Sequence, residues 1–559
     1  MKRPILKIAA LALPILLQSA GCSTTPADRA AATSTSNAQL FKGMGPHRRP
    51  VTTTSSQSQA YFDQGLTWAY AFNHDEAIRS FSRAGELDPN LAMAWWGAAL
   101  CLGPHINNPV MPPERSRLAS TAVQKAQSLK ANASPVEQAL IDALAARYAW
   151  PAPTDRAPLD QAYAAAMADV HRRFPNDLDV TTLYAESLMD LQPWDLWTKG
   201  GEPKGRATEI VALLESVLAK NPKHPGAAHL YIHAVEASES PERADNAAQV
   251  LRSLVPASGH LSHMPSHIDV RVGRWPEAAE ANRRAVAIDA AYRKLSPHQD
   301  FYRVYMFHNE QFLSFVAMMM GRSSEAIAAA RGALDGVPEQ WAKDNAGAID
   351  GYLTIHLDAL KRFGKWDELL KLHAPPEYLP YTTAMWRFNR AVAYAALGKV
   401  NEAEQERTLF IKASKKVPAG ALVQINPAER VLALATHMLD GEIHYAKRDY
   451  DSAARELRAA IEIEDSLQYM EPPDWMQPVR HTLGTVLIDA GKPADAERTY
   501  REDLARWPGN GWSLLGLSRS LELQGNAEEA KRTRAQFDRA WSTADIKPKA
   551  SCLCSPSAR

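Results

Sequence analysis

YFDQGLTWAYAFNHDEAIRSFSRAGELDP, residues 61–89, is the stretch that decides the fold. Tyr61, Gly65 and Trp68 stand at i, i+4 and i+7, so they share one helix face in the order large, small, large. Ala77, Phe81 and Ala84 repeat the spacing as small, large, small, and Pro89 ends the unit. Small side chains let two helices approach closely, aromatics fill the hole opposite, and proline stops the second helix. The stretch reads as two antiparallel helices packed face to face.

The same grammar returns along the chain. GRWPEAAEANRRAVAID carries Ala278 and Ala285, and GRSSEAIAAARGALDGVP carries Ala326, Ala333 and Pro338. Farther on stand Tyr394 with Ala403, Gly441 with Ala453 and Ala460, Gly484 with Ala496, Tyr500 and Pro508, and finally Trp512 with Leu515 and Gly516. These units resemble the tetratricopeptide repeat (TPR), a helix pair of about 34 residues. The resemblance covers most of residues 60–540 and implies an all-α, TPR-like superhelix of antiparallel helix pairs; it specifies fold better than function. The anchor alanines are unevenly spaced, and connections such as Pro151–Pro158 and Pro193–Pro203 read as irregular insertions. An N-terminal lobe over 58–350 and a C-terminal lobe over 351–545 are expected, divided where the pattern lapses between 350 and 380. No run alternates as a sheet requires.

Residues 1–22 read as an export signal. Lys2, Arg3 and Lys7 precede a short apolar run containing Pro14, too short to span a membrane. Ser19-Ala20-Gly21-Cys22 resembles a bacterial lipobox, which implies lipidation of Cys22; Ser19 departs from the leucine usual there. Ser23 after the cysteine implies sorting to the outer membrane of a Gram-negative cell, with the body facing the periplasm. An ordinary signal peptide cut nearby is the alternative. Residues 23–57, rich in Ser, Thr, Ala and Pro, read as a flexible tether.

Hydrophobic residues make up 46% of the 559 and charged residues 23%, which argues against wholesale disorder and a polytopic membrane protein. Lys+Arg and Asp+Glu are both 63, so nothing in the charge favours a phosphate backbone, and no nucleic acid partner is expected.

Of the 17 histidines, eight lie between His224 and His308. His229 and His233 are one helical turn apart, with Glu236 three positions on, so the three can converge on one cation. Pro225 suits a first turn, leaving His224 just outside the helix. By the same argument Pro265 places His263 in the loop leading into a helix and His267 in its first turn. In a helix-pair array the first helices of consecutive pairs stack along the concave face. His308, with Tyr305 a turn earlier, would then bring a third contribution. His229, His233, Glu236, His263, His267 and His308 are the candidate ligands of a transition metal, with His260, Tyr305 and Tyr231 in support. Nitrogen-rich ligation suits Cu, Zn or Fe, as one hydrolytic ion with water or as an oxygen-using pair of ions. A hydrogen-bonded polar core and a metal-free ligand pocket are the competing readings. No HExxH, GxSxG or GxxxxGK[ST] occurs, and whether the protein is an enzyme is left open.

Cys552 and Cys554 form a CxC in the segment 546–559, expected to be a mobile tail with a soft-metal or redox role, or none. Cys101 reads as packing, the tryptophans 95, 96, 194 and 197 as core or the wall of a cleft, and His437 with His444 as a weak second pair. Two functions stay in view: a lipid-anchored, metal-binding TPR protein, or a TPR scaffold that takes a protein or peptide along its groove.

Overall fold

A computed structural model describes residues 38–297 and 299–554. The expected signal at 1–22, the Cys22 lipidation site, residues 23–37 of the expected tether and the last five residues of the tail lie outside these. The described chain is an all-α, TPR-like superhelix, with one two-residue hairpin pairing Leu422–Val423 and Asn426–Pro427. No helix among the described residues is long and apolar enough to cross a membrane.

The opening pair is Ser56–Tyr70 and His74–Leu87. Asn73 caps the second helix through Oδ1 and the Glu76 N–H. Phe81 is fully buried between two glycines, and a Cβ on Gly65 or Gly97 would stand 2.8 or 2.6 Å from its ring. Gly65→Ala is therefore expected to cost about 1–3 kcal/mol by overpacking, read as a lowered melting temperature. The same design, with Tyr500 between Gly484 and Gly516, holds Val479–Asp489, Pro493–Arg506 and Gly511–Leu523 together.

Three corrections concern the chain outside the repeats. Residues 38–57 are packed rather than tethering. Phe41 meets Trp68 edge to face at 5.5 Å, Arg49 donates to Asp177 (2.7 Å) and Asp179 (3.1 Å), and Thr52 N–H donates to Glu137 (2.8 Å). The expected division near 350 is no break in the core, since one apolar cluster draws both on Val270 and Phe312 and on Trp507, Trp512 and Trp541. Trp275 donates to the Pro508 carbonyl and Trp512 to that of Met318, both at 2.8 Å, so the end of the array packs on its middle. The segment Ser551–Cys554 is buried, not mobile. Ser551 donates to the His481 carbonyl (2.7 Å), and its hydroxyl also bonds Thr485 (2.8 Å) and Tyr500 (2.7 Å), while Cys552 and Cys554 are joined as a disulfide.

Candidate metal centre

Three neighbouring helical stretches carry the histidines. Pro225–Val235 begins at His224, whose Nδ1 accepts from the Ala227 N–H at 3.1 Å. Gly259–His263 is capped by Ser258 and passes through Met264, at φ −50° and ψ −36°, into Pro265–Arg271. His263 thus ends a helical turn and does not lie in a loop, because Met264 keeps the helical path although Pro265 has no N–H to give. Tyr302–Met319 supplies His308.

Their side chains form two trios instead of one cluster. In the first, His229, His233 and His260 present ligand nitrogens within 4.8 Å of one another; in the second, His263, His267 and His308 do the same. His229 Nε2 faces His233 Nε2 at 3.1 Å and His260 Nε2 at 3.1 Å, and His263 Nε2 faces His267 Nε2 at 2.8 Å. Ring centroids of His233 and His267 are 5.6 Å apart, and those of His260 and His263 5.8 Å, so the trios lie side by side. His260, expected only in support, is a full member of the first.

The opposite edges of the rings fix the tautomers. His229 Nδ1 meets the Tyr70 carbonyl at 2.6 Å, which can only accept. His233 Nδ1 and His267 Nδ1 meet the two oxygens of Glu236 at 3.0 and 2.6 Å. His263 Nδ1 meets Asn282 Oδ1 at 2.7 Å; Asn282 is oriented because its amide nitrogen donates to the Ala278 carbonyl at 2.8 Å. All four rings therefore carry their proton on Nδ1 and a lone pair on Nε2. The contacts of His229 with His233 and of His263 with His267 are then lone pair against lone pair. Burial, reinforced by neighbouring histidines, pushes His229, His260 and His263 well below the ordinary histidine value and His308 down to about 3.

Glu236 joins the two trios through its two oxygens and, with His233 and His267, forms a third group of candidate ligand atoms within 4.8 Å of one another. Burial opposes its ionisation, but His267 and His233 outweigh that and hold its carboxyl below the ordinary range. Glu236→Gln leaves an amide N–H₂ facing one of the two Nδ1–H groups, and is expected to weaken metal binding about 10–100-fold in a chelator competition titration.

Sequence reasoning missed several neighbours. Phe72, in the turn after the first helix at φ +55°, stands 4.4 Å from the His229 ring, 6.1 Å from that of His233 and 5.8 Å from that of His260. Phe312 covers the second trio, 5.1 Å from both His263 and His267; its position one turn after His308 was the available signal. Glu471 comes from the far end of the chain, 3.3 Å from His267 Nδ1, and burial and then Glu236 push its carboxyl well above the ordinary range. Nothing in its surrounding sequence points there. Tyr305 lies 4.5 Å from His260 as expected of a supporting ring. Tyr231 does not, for its hydroxyl donates to Glu215 at 2.6 Å.

The remaining candidates dissolve. His437 pairs with Glu456 and His444 with Asp449, so they share no site. His47 and His224 both turn Nε2 to Asp179 Oδ1, which Tyr70 also reaches at 2.6 Å, a further group of potential ligand atoms that the sequence did not single out. Cys101 is buried packing. Trp194 meets the His233 ring edge to face at 5.2 Å, a wall of the centre.

No protein-family model matches the chain, and no curated protein does. Among solved structures it is similar to the human IFIT1 dimer with m7Gppp-AAAA, at 14% identity and TM-score 0.34, covering 87% of this chain and 91% of that one. A monomeric mutant of IFIT1 with Gppp-AAAA is similar at 15% identity and TM-score 0.32, covering 87% and 91%. At such identity and TM-score the likeness carries no argument about this chain. It neither brings those RNA ligands to this chain nor supports the absence of nucleic acid expected from the net charge.

Proposed function

We propose that the protein binds two transition-metal ions, one in each histidine trio, as a paired centre braced by Glu236. The observation that carries this reading is the facing of Nε2 lone pairs at 3.1 and 2.8 Å in rings whose protons are committed to Nδ1 acceptors. Facing lone pairs in buried rings are stabilised by a cation between them.

Copper fits best. Six imidazoles bring no negative charge, and Glu236 is the one carboxylate held ionised against them. Buried positive charge without compensation is costly, so monovalent Cu(I) is favoured over a pair of dications. Hydrolysis fits poorly, since both Glu236 oxygens are engaged by histidines and are not free to act as a base. Two such ions side by side supply two one-electron donors to a small ligand. A cavity of about 20 Å³ beside His233 and Glu236, walled by Ile106, Met189, Trp194, Leu196 and Trp197, has room for a ligand of water or dioxygen size. The reading is a dinuclear copper protein that handles dioxygen-sized molecules.

Metal analysis after anaerobic repletion should find two equivalents of copper per chain, retained through gel filtration. Fewer than about 0.3 equivalents of any transition metal would sink the proposal, because a native-state ligand at 1,000 times its Kd adds about 4 kcal/mol and is not lost by accident.

The scaffold alternative is disfavoured at one place. The segment Lys549–Ser551 of the same chain lies against Val479–Asp489 and Gly511–Leu523, lining one pocket with Thr485, Leu515 and Gly516 and bonding Thr485 through Ser551 at 2.8 Å. A peptide partner would have to displace it. Export and lipidation at Cys22 belong to the same proposal, as the address of the protein; mass spectrometry of the mature N-terminus tests them.

A further inference from the structure

The C-terminal cysteines form a second cluster that the histidine centre does not use. Cys552 and Cys554 are 2% and 4% exposed, and Glu442 presents a carboxylate oxygen within 4.8 Å of both sulfurs. Gln477 Nε2 approaches Cys552 Sγ at 3.8 Å. A disulfide between residues two apart closes almost no chain, so it restrains the unfolded state very little. Stability is therefore a weak reason for this bridge, and burial beside a carboxylate is an odd place for one.

The segment does not depend on the bridge for its position. Ser551 is fixed by three hydrogen bonds of 2.7–2.8 Å to His481, Thr485 and Tyr500, and Leu553 packs against Gly364. Opening the disulfide obliges the two sulfurs to separate by side-chain rotation, while the anchored Ser551 and Leu553 keep the segment beside Glu442. Two thiols and a carboxylate around one point are a ligand set for a thiophilic ion.

We propose that Cys552, Cys554 and Glu442 form a buried Cu(I) site, separate from the histidine centre, that becomes available when the Cys552–Cys554 disulfide is reduced. Reduction is an exchange with an external dithiol. The S–S bond between Cys552 and Cys554 breaks, the dithiol's two sulfurs join, and two electrons and two protons pass to the cysteines. Cu(I) then replaces thiol protons, which leave to solvent. Burial pushes the Glu442 carboxyl up to about 8, and Lys361, over the Trp475 ring at 4.7 Å, draws it back only in part, so Cu(I) displaces the Glu442 proton to solvent along with the thiol protons. In the oxidised form the sulfurs have no thiolate to offer and the site is closed.

The full chain, air-oxidised or reduced with a phosphine that is then removed, is titrated anaerobically with Cu(I) against bicinchoninate. The reduced protein should take up one equivalent more than the oxidised, with copper–sulfur scattering in its X-ray absorption spectrum. Cys552→Ser/Cys554→Ser should lose that equivalent, and Glu442→Gln should weaken it, with the histidine-bound copper unchanged in both. Equal uptake in the two redox states, or an extra equivalent that survives the double substitution, overturns the proposal. If the double variant does not fold, the wild-type spectrum decides, and copper seen with nitrogen and oxygen neighbours only overturns it. Because the readout is a difference between redox states, it stands whether or not the histidine trios hold metal.

Discussion

His229→Ala is expected to bind one metal ion per chain instead of two, and His263→Ala likewise, with the double variant binding none. Each substitution removes the nitrogen that its trio is built around. His229 Nε2 faces both His233 and His260, and His263 faces His267 while its ring lies 4.7 Å from that of His308. The trios share no nitrogen, so the losses should add in stoichiometry. Affinity at the surviving site should nonetheless fall, because Glu236 loses the order imposed by two occupied partners. A hydrogen-bonded polar core predicts the opposite pattern: no metal to lose, and a stability loss of about 1–3 kcal/mol from an orphaned partner. Metal analysis with melting curves of the metal-free forms separates the two.

The metal-free protein is expected to unfold steeply as pH falls below about 6.5, and the metal-loaded protein to resist to lower pH. The sign follows from where the protons go. Burial lowers the proton affinity of His229, His233, His260, His263 and His308 in the folded state, while the unfolded chain titrates normally. Above the ordinary histidine value both states are neutral and nothing is lost. Below it the unfolded chain takes up protons that the folded chain refuses, and each such histidine contributes a slope of up to about 1.4 kcal/mol per pH unit. Five together approach about 7 kcal/mol per unit, set against a typical total of about 5–15 kcal/mol. Acid titrations followed by circular dichroism, with and without copper, check this; coincident transitions would mean that no ion occupies the trios.

Much of the fold was legible because helix packing writes itself in side-chain size. The large–small–large spacing of Tyr61, Gly65 and Trp68 is a local rule, and the structure keeps it. His229, His233 and Glu236 were legible for the same reason, since helical periodicity alone puts them on one face. Their division of labour was not. That Glu236 reaches a histidine of each trio, one with each oxygen, emerges only once the rings on either side are placed. His260 and His263 share a helical turn, yet each joins a different trio, which depends on the helices that flank that turn. Residues 38–57 and 551–554 escaped because polar anchors hold them (Arg49 on Asp177 and Asp179, Ser551 on the His481 carbonyl), and such anchors leave no apolar period. Phe72 and Glu471 reach the centre from a turn and from the opposite end of the chain, across distances that no local pattern encodes.

Anomalous diffraction from crystals of the copper-repleted protein, collected at the copper edge, tests the central claim most directly. Two peaks are predicted per chain, each about 2 Å from three imidazole nitrogens, one among His229, His233 and His260 and the other among His263, His267 and His308. A single peak bonded to Glu236, or no peak within bonding distance of these rings, would contradict it.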